Sequence, residues 1–273
     1  MFESPARKII RHEGIAFLAE FLGTFGFLFM AYMVAQIALT PDPAVQTSAT
    51  EINHAKLLMV SFGFGIALMS NIFIWFRVSG AAFNPAVSLG LAVMGAITPG
   101  RALISTVAQC LGGIIAALVV DSLTVGPLLV ANGLTQTVNS VTSTTQGLFI
   151  EALGTCQLML TIFFMAGEHH KATPMAPLAI GLALVGIHLE AVNYTGCGVN
   201  PARFLGPAIV TSTFPHSWWV YLVGPILGSL AACAIYAFVK WAGYEDLNPG
   251  QDATEGPDAD YIAPISPSGS RPY

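Results

Sequence analysis

The sequence predicts an all-α membrane protein in which six transmembrane helices and two re-entrant half-helices form an inverted repeat. Three observations lead to this fold class. Of the 273 residues, 54% are hydrophobic and only 9% are charged, whereas a soluble domain carries about 25% charged residues. The charged residues leave six apolar stretches that are long enough to cross a bilayer. An Asn-Pro-Ala triplet occurs twice, at Asn84 and 116 positions later at Asn200.

The composition and the charge pattern also exclude several classes of protein. So few charged side chains cannot cover a folded soluble surface, which excludes a cytosolic enzyme, and the high hydrophobicity excludes a disordered chain. Six of the fifteen acidic residues lie in the last thirty positions, and the rest of the chain has no basic stripe, so nucleic-acid binding is not expected. The four cysteines lack the spacing of zinc ligands or of a disulfide framework. We therefore expect no catalytic residue, no metal and no cofactor.

The six full spans follow from the length of the apolar stretches. A helix needs about 20 apolar residues to cross about 30 Å of hydrocarbon. On that basis the predicted spans cover residues 14–39, 57–76, 102–120, 146–166, 175–193 and 217–240.

Two further apolar pieces are too short to cross. Glycine and proline interrupt the region after residue 78, so only about a dozen residues after Asn84 can be helical, and residues 200–210 form a still shorter piece. At 1.5 Å per residue, twelve residues cover about 18 Å. We therefore expect two re-entrant half-helices, which are tolerated at membrane depth where they are buried in protein or line an aqueous cavity.

An internal repeat relates the two halves of the chain. SGAAFNPAV at 79–87 corresponds to TGCGVNPAR at 195–203, and EFLGT from Glu20 corresponds to EALGT from Glu151. Each half contains three spans, so the second half enters the membrane from the opposite side. Eight of the ten Lys and Arg residues then lie on the side of the two termini, which predicts that both termini are cytoplasmic.

The residues of the two triplets have a specific physical role at the start of a helix. Asn84 and Asn200 are suited to cap a helix, and the prolines that follow them are suited to its first position. Two helix N-termini that meet at the bilayer centre place positive ends there and repel cations, including hydronium. If both amides face a lumen, they donate to one passing oxygen, and a water held in this way cannot relay a proton.

These motifs resemble those of the aquaporin or major intrinsic protein family, in its water-selective branch. The resemblance covers nearly all of residues 14–240 and rests on AEFLGTF, SGAAFNPAVSLG, IEALGT and YTGCGVNPARFLGPA. It implies a homotetramer with one narrow pore per subunit, embedded in membrane lipid. The pore motifs would be Asn84, Pro85 and Ala86 in the first half, and Asn200, Pro201 and Ala202 in the second.

The resemblance also assigns an outer constriction, the selectivity filter. Phe64 would be its aromatic wall and His188 its polar wall; Cys197 would contribute a carbonyl and a lumen-facing thiol, and Arg203 would donate to permeants and repel cations. Glycerol facilitators usually have Gly in place of this His and an acid directly after the Arg, where this chain has Phe204. The expected function is passive conduction of water in single file, and the alternative is a channel that also passes glycerol or hydrogen peroxide.

Two buried acids and two departures from the family pattern complete the assignment. Glu20 and Glu151 lie at matched positions and are expected to accept hydrogen bonds from the re-entrant loops rather than to transfer protons. Phe204 and Leu222 depart from the residues that are common in water channels, and neither is expected to line the narrowest point. A secondary transporter and a structural junction protein with a vestigial pore remain the hypotheses from other classes.

The chain is divided accordingly into three parts. Residues 1–13 are expected to be a cytoplasmic arm, 14–241 the channel domain, and 242–273 a disordered cytoplasmic tail. Within the channel domain the repeats cover about 14–121 and 145–241. The plasma membrane is the expected location.

Overall fold

A computed structural model of the chain describes residues 4–41, 53–129, 142–168 and 170–247. Within these residues the chain forms eight α-helices and no strand. A π-helical turn, Phe163–Gly167, extends α5, and short 3-10 helices cover Thr173–Met175 and Tyr244–Leu247. The helices are α1 Pro5–Leu39, α2 His54–Ser79, α3 Pro85–Val93, α4 Pro99–Leu123, α5 Thr144–Ile162, α6 Ala176–Thr195, α7 Pro201–Val210 and α8 Val220–Trp241.

Six of the helices are long and apolar enough to span a membrane, which confirms the predicted fold class. They are α1, α2, α4, α5 with its π-helical turn, α6 and α8. Their outer faces carry large apolar side chains that are more than half exposed, including Phe73, Leu103, Leu153 and Phe238. A surface of this kind suits lipid rather than water, and the chain is an integral multi-pass membrane protein.

The two predicted half-helices are α3 and α7, with 9 and 10 residues. Each follows a long helix that ends at a glycine in the left-handed region, Gly80 after α2 and Gly196 after α6. Only glycine adopts this conformation without strain from a side chain. These two glycines turn the chain back into the fold at equivalent points of the two halves.

The two halves of the chain pack in the same way and then against each other. Helix α1 lies against α2 and α4, and α5 lies correspondingly against α6 and α8. The halves meet where α2 packs on α6 and where α7 packs on α4. At the second of these contacts, a Cβ on Gly206 would lie 2.4 Å from the carbonyl oxygen of Gly113, so the two backbones touch directly.

Near both ends of the described chain, helical structure extends beyond the boundaries that the sequence predicts. Helix α1 begins at Pro5, whereas the apolar pattern placed the start of the first span near Gly14. Arg101, at the start of α4, holds this extension with two hydrogen bonds to the carboxylate of Glu13, at 2.6 and 2.9 Å. Of the expected disordered tail, Tyr244–Leu247 forms a helical turn, and residues 248–273 lie outside the described residues.

Candidate functional site

The two loops that precede the half-helices have the same unusual backbone. Ala81 and Cys197 both have φ of 54°, and Phe83 and Val199 have φ of 50° and 42°. Residues other than glycine rarely adopt this region, at a cost of about 1–3 kcal/mol each. Such a conformation persists only where the surrounding structure holds it, and in each loop a buried carboxyl group does so.

Glu20 on α1 holds the first loop. Its Oε1 accepts hydrogen bonds from Ser79 Oγ at 2.6 Å and from the Ala82 amide at 3.2 Å. Its Oε2 accepts from the Phe83 amide at 2.9 Å and from Gln109 Nε2 at 2.7 Å. Four donors therefore converge on one carboxyl group that is 1% exposed.

Glu151 on α5 holds the second loop in the same way. Its Oε1 accepts from Thr195 Oγ1 at 2.5 Å and from the Gly198 amide at 2.8 Å. Its Oε2 accepts from the Val199 amide at 2.5 Å. With their amides turned toward the two acids, the loops are fixed as a matched pair.

The two Asn side chains join the N-termini of the half-helices across the repeat interface. Asn84 Oδ1 caps α3 by accepting from the Ala86 amide at 2.9 Å, and Asn200 Oδ1 caps α7 by accepting from the Ala202 amide at 2.9 Å. Asn84 Nδ2 donates to the Val199 carbonyl at 2.8 Å, and Asn200 Nδ2 donates to the Phe83 carbonyl at 2.9 Å. A side-chain amide has two N–H donors, so each Asn keeps one that is directed away from these bonds.

Both Asn residues border a cavity that runs between the halves of the molecule. Its walls are largely apolar, and the polar side chains among the described residues that line it are those of the two Asn residues, His188 and Arg203. The apolar lining includes Phe27, Leu68, Ile72, Phe76, Leu91, Leu158, Ile162, Ala166, Ile180 and Leu184.

At one end of the cavity, three of the four predicted constriction residues come together. The ring of Phe64 stacks on the ring of His188, with 4.5 Å between centroids and 27° between planes. The guanidinium carbon of Arg203 lies 5.4 Å from the centroid of Phe64. The carbonyl of Gly196 fixes this guanidinium by accepting from Nη2 at 2.7 Å. All three side chains are 1% exposed, so the passage between them is narrow.

The hydrogen bonding of His188 leaves one ring nitrogen for a permeant. Its Nδ1 lies 2.9 Å from the carbonyl of Leu184, and a carbonyl can only accept, so Nδ1 carries a hydrogen. Its Nε2 is buried and has no hydrogen-bond partner among the described residues. In the neutral imidazole Nε2 is an acceptor. The constriction therefore presents an acceptor on His188 across from the donors of Arg203.

The structure does not bring the fourth predicted residue to the cavity. The Sγ of Cys197 lies 3.7 Å from the carbonyl of Ile187, and the residue is fully buried. Its loop neighbours Gly198 and Val199 line the cavity, and Cys197 is not among the described residues that do. The lumen-facing thiol implied by the family resemblance is therefore turned away in this conformation.

Phe204 and Leu222, the two departures from the family pattern, lie behind the constriction. Phe204 is fully buried and stacks on Tyr221, with 4.8 Å between centroids and 8° between planes. Leu222 packs at the edge of the same cluster. The hydroxyl of Tyr221 donates to the carbonyl of Thr195 at 2.5 Å, at the end of α6. Neither residue lines the cavity.

Tyr32 is a contact residue that the sequence motifs did not single out. It is fully buried on α1, and its hydroxyl donates to the carbonyl oxygen of Arg203 at 2.6 Å. Its position within a long apolar span gives no signal beyond a phenol hydroxyl that must find a partner.

A second polar cluster lies at the end of α8, away from the constriction. The carboxylate of Glu168 accepts from Tyr236 at 2.7 Å and from the hydroxyl of Tyr244, and Lys240 lies 3.3 Å from it. Partial burial raises the pKa of Glu168, but hydrogen bonds from Tyr244, Tyr236 and Lys240 outweigh it and lower the pKa below its ordinary value. The cluster ties the loop after α5 to the start of the C-terminal segment.

Comparison with known proteins identifies relatives over most of the chain. The family model of the major intrinsic proteins matches residues 11–236. "Aquaporin-1" of Gibberella zeae is 41% identical over 249 residues, which are 91% of this chain and 76% of that protein. "Aquaporin-2" of Saccharomyces cerevisiae is 37% identical over 87% of this chain and 81% of that protein.

Other relatives are longer or more distant. "Aquaporin-7" of Botryotinia fuckeliana is 45% identical over 89% of this chain, but the match spans only 53% of that protein. Among solved structures, the X-ray structure of the aquaglyceroporin from Plasmodium falciparum matches with a TM-score of 0.72 and 25% identity. That match covers 86% of this chain and 99% of the solved one.

Proposed function

The chain belongs to the major intrinsic protein family of membrane channels, and we propose that it is a water channel that excludes glycerol, ions and protons. The observation that carries the proposal is the constriction formed by Phe64, His188 and Arg203, with the two rings stacked at 4.5 Å and the guanidinium 5.4 Å from Phe64. Membership of a channel family argues against the secondary-transporter and enzyme hypotheses.

The size and polarity of this constriction support water as the permeant. A water molecule can accept from Arg203 and donate to Nε2 of His188, so it replaces part of its lost hydration while it passes. Glycerol is wider than water, and the ring of His188, stacked on Phe64 at 4.5 Å, takes up space that a polyol would need. The residue after Arg203 also supports this assignment, because Phe204 is packed on Tyr221 and adds no polar group to the passage.

The arrangement at the two half-helices supports proton exclusion. The capped N-termini of α3 and α7 face each other through their Asn residues, and their dipoles add positive potential at that point. Asn84 and Asn200 each keep one N–H, so a water between them is held as an acceptor by two donors. A water oriented in this way does not accept a proton from its neighbour, and the side chains next to the two Asn residues, such as Val87 and Val199, are apolar.

A channel that also passes glycerol or hydrogen peroxide is the second candidate function. The similarity to the solved aquaglyceroporin favours it, because that chain matches over 86% of this one. The largely apolar wall of the cavity favours it as well, since such a wall suits the carbon backbone of a polyol. The two candidate functions require different widths of the passage beside His188: the second must admit glycerol, and the first must not.

We propose the same organisation for the membrane setting as the sequence predicts. Arg77 lies at the end of α2, Arg101 at the start of α4 and Lys240 at the end of α8, on the same side as the start of α1. This distribution supports cytoplasmic termini. A homotetramer in the plasma membrane, with the channel domain at 14–241, is proposed from the family resemblance.

The experiment is stopped-flow light scattering of proteoliposomes that contain the purified protein, first with impermeant sucrose and then with glycerol. The proposal expects fast water efflux and glycerol uptake no faster than in empty vesicles. The matched variant His188→Gly should take up glycerol, because the ring that narrows the passage is removed. Fast glycerol uptake by the unmodified protein would establish the second candidate, and water flux at the background level would favour a closed channel or a structural role.

A further inference from the structure

The inference concerns Tyr32, a residue outside the cavity wall that touches two constriction residues. Its hydroxyl donates to the backbone carbonyl of Arg203 at 2.6 Å. Its ring meets the ring of Phe64 edge-on, with 6.4 Å between centroids and 68° between planes. Tyr32 is fully buried and is not among the described residues that line the cavity, so any influence on permeation acts through these two neighbours.

The carbonyl that Tyr32 binds lacks its usual helical partner. Within an α-helix, a carbonyl accepts from the amide four residues later. For Arg203 that residue is Pro207, which lies inside α7 and has no N–H. A buried carbonyl without a donor is costly. The hydroxyl of Tyr32 supplies the donor from a different helix, and so anchors the first turn of α7 to α1.

In the repeat, the position equivalent to Pro207 is not a proline, and the position equivalent to Tyr32 has no hydroxyl group. Leu91 corresponds to Pro207, at the same offset of 116 that relates the two triplets, and it has the N–H that proline lacks. Phe163 corresponds to Tyr32, at the offset of 131 that relates Glu20 to Glu151, and it has no hydroxyl. The hydroxyl is therefore present in the half where proline removes the amide donor, and absent in the half where the donor is intact.

We propose that Tyr32 is a positioning residue that sets the width of the constriction. Its hydroxyl fixes the backbone of Arg203, and its ring limits the rotation of Phe64, so that the guanidinium and the two stacked rings keep their spacing. The inference rests on the proposed water-selective function. Without the hydroxyl, the first turn of α7 is free to shift, and displacements well below 1 Å decide whether a group is correctly placed.

The test compares four proteins in proteoliposomes: unmodified, Tyr32→Phe, Pro207→Ala, and the double variant. For each, water and glycerol permeabilities are measured in the same vesicles, and the ratio of the two is the readout. A merely structural loss would reduce the number of folded channels and lower both permeabilities together, which leaves the ratio unchanged. Tyr236→Phe is the matched control, because it removes a hydroxyl that binds Glu168, away from the constriction.

Tyr32→Phe should raise the glycerol-to-water permeability ratio roughly tenfold, the factor that corresponds to about 1.4 kcal/mol and to one buried hydrogen bond. The double variant should return the ratio to that of the unmodified protein, because alanine at position 207 restores the amide donor. Tyr236→Phe should leave the ratio unchanged.

Two results would overturn the inference. One is an unchanged ratio in a Tyr32→Phe protein that conducts water. The other is a raised ratio that Pro207→Ala fails to restore. Failure of the proposed function is distinguishable from both, since it appears as absent water flux or as fast glycerol uptake in the unmodified protein.

Discussion

The substitution Glu151→Gln tests how the second re-entrant loop is held. Glu151 accepts from three buried donors, the hydroxyl of Thr195 and the amides of Gly198 and Val199, at distances of 2.5–2.8 Å. Glutamine keeps one acceptor oxygen and replaces the other with an NH₂ group that faces a donor. In either orientation of the amide, one of the two backbone N–H groups loses its acceptor. Where the NH₂ group takes the place of Oε1, the hydroxyl of Thr195 loses its acceptor as well.

The magnitude follows from the number of unsatisfied donors. Each buried donor without a partner costs about 1–3 kcal/mol, so the one or two donors that lose their acceptor cost about 1–6 kcal/mol. The same bonds hold Cys197 and Val199 at positive φ, and the loop is expected to relax away from this strained conformation when they are lost. At about 2–4 °C per kcal/mol, the melting temperature should fall by about 2 °C or more.

The assay combines thermal unfolding of the purified protein in detergent with water flux in proteoliposomes. Glu151→Gln is expected to melt earlier and to conduct less water per folded protein, because Arg203 follows this loop directly. Glu190→Gln is the matched control, since Glu190 is exposed near the end of α6. A Glu151→Gln protein with the melting temperature and flux of the unmodified protein would refute the account of the loop.

Three further predictions concern charge, thiol chemistry and pH. Arg203→Val should let cations or protons leak, measured as dissipation of a pH gradient across proteoliposomes; an intact gradient would argue against a filter role. Mercuric chloride should inhibit water flux only slowly, because the thiol of Cys197 faces the Ile187 carbonyl; a prompt block that Cys197→Ser abolishes would show that the thiol turns into the lumen. Because the folded-state pKa of Glu168 is lowered from its ordinary 4.5, its stabilising contribution is present above that pH and is lost as the pH falls below it. The melting temperature should therefore fall less steeply at acidic pH in Glu168→Gln than in the unmodified protein, and equal slopes would contradict this.

The features that could be predicted from the sequence are those that occur in both halves of the chain and those that follow from the length of an apolar stretch. Six spans and two half-helices could be placed because charged residues and the Asn-Pro pairs mark their limits. The match of Glu20 to Glu151 indicated acids in equivalent surroundings, and in the structure both accept bonds from re-entrant loops. The limits of the helices and the equivalence of the two acids can be read from local sequence, because each depends on a short motif or on the length of one apolar stretch.

The features that were missed depend on contacts between distant parts of the chain. Tyr32 and Arg203 are 171 positions apart, and the hydroxyl of a single tyrosine gives no indication of its partner. The orientation of the Cys197 thiol is set by packing against α6, which no spacing encodes. The early start of α1 at Pro5 reflects the cap by Ser4 and the ion pair of Glu13 with Arg101, both outside the apolar pattern.

The internal repeat shows how the side chains at the two ends of the cavity differ. Each predicted constriction residue has a counterpart at the offset of 116, and all four counterparts line the cavity. Three of them are aliphatic where the constriction has an aromatic, polar or charged group: Ile180 for Phe64, Ile72 for His188 and Val87 for Arg203. The fourth is Ala81, which lines the cavity where its counterpart Cys197 does not. The backbone at the two ends is held by equivalent acids and has equivalent φ angles. The difference between the two ends therefore lies in the side chains that a duplicated backbone carries, and the hydroxyl of Tyr32 is one of these differences.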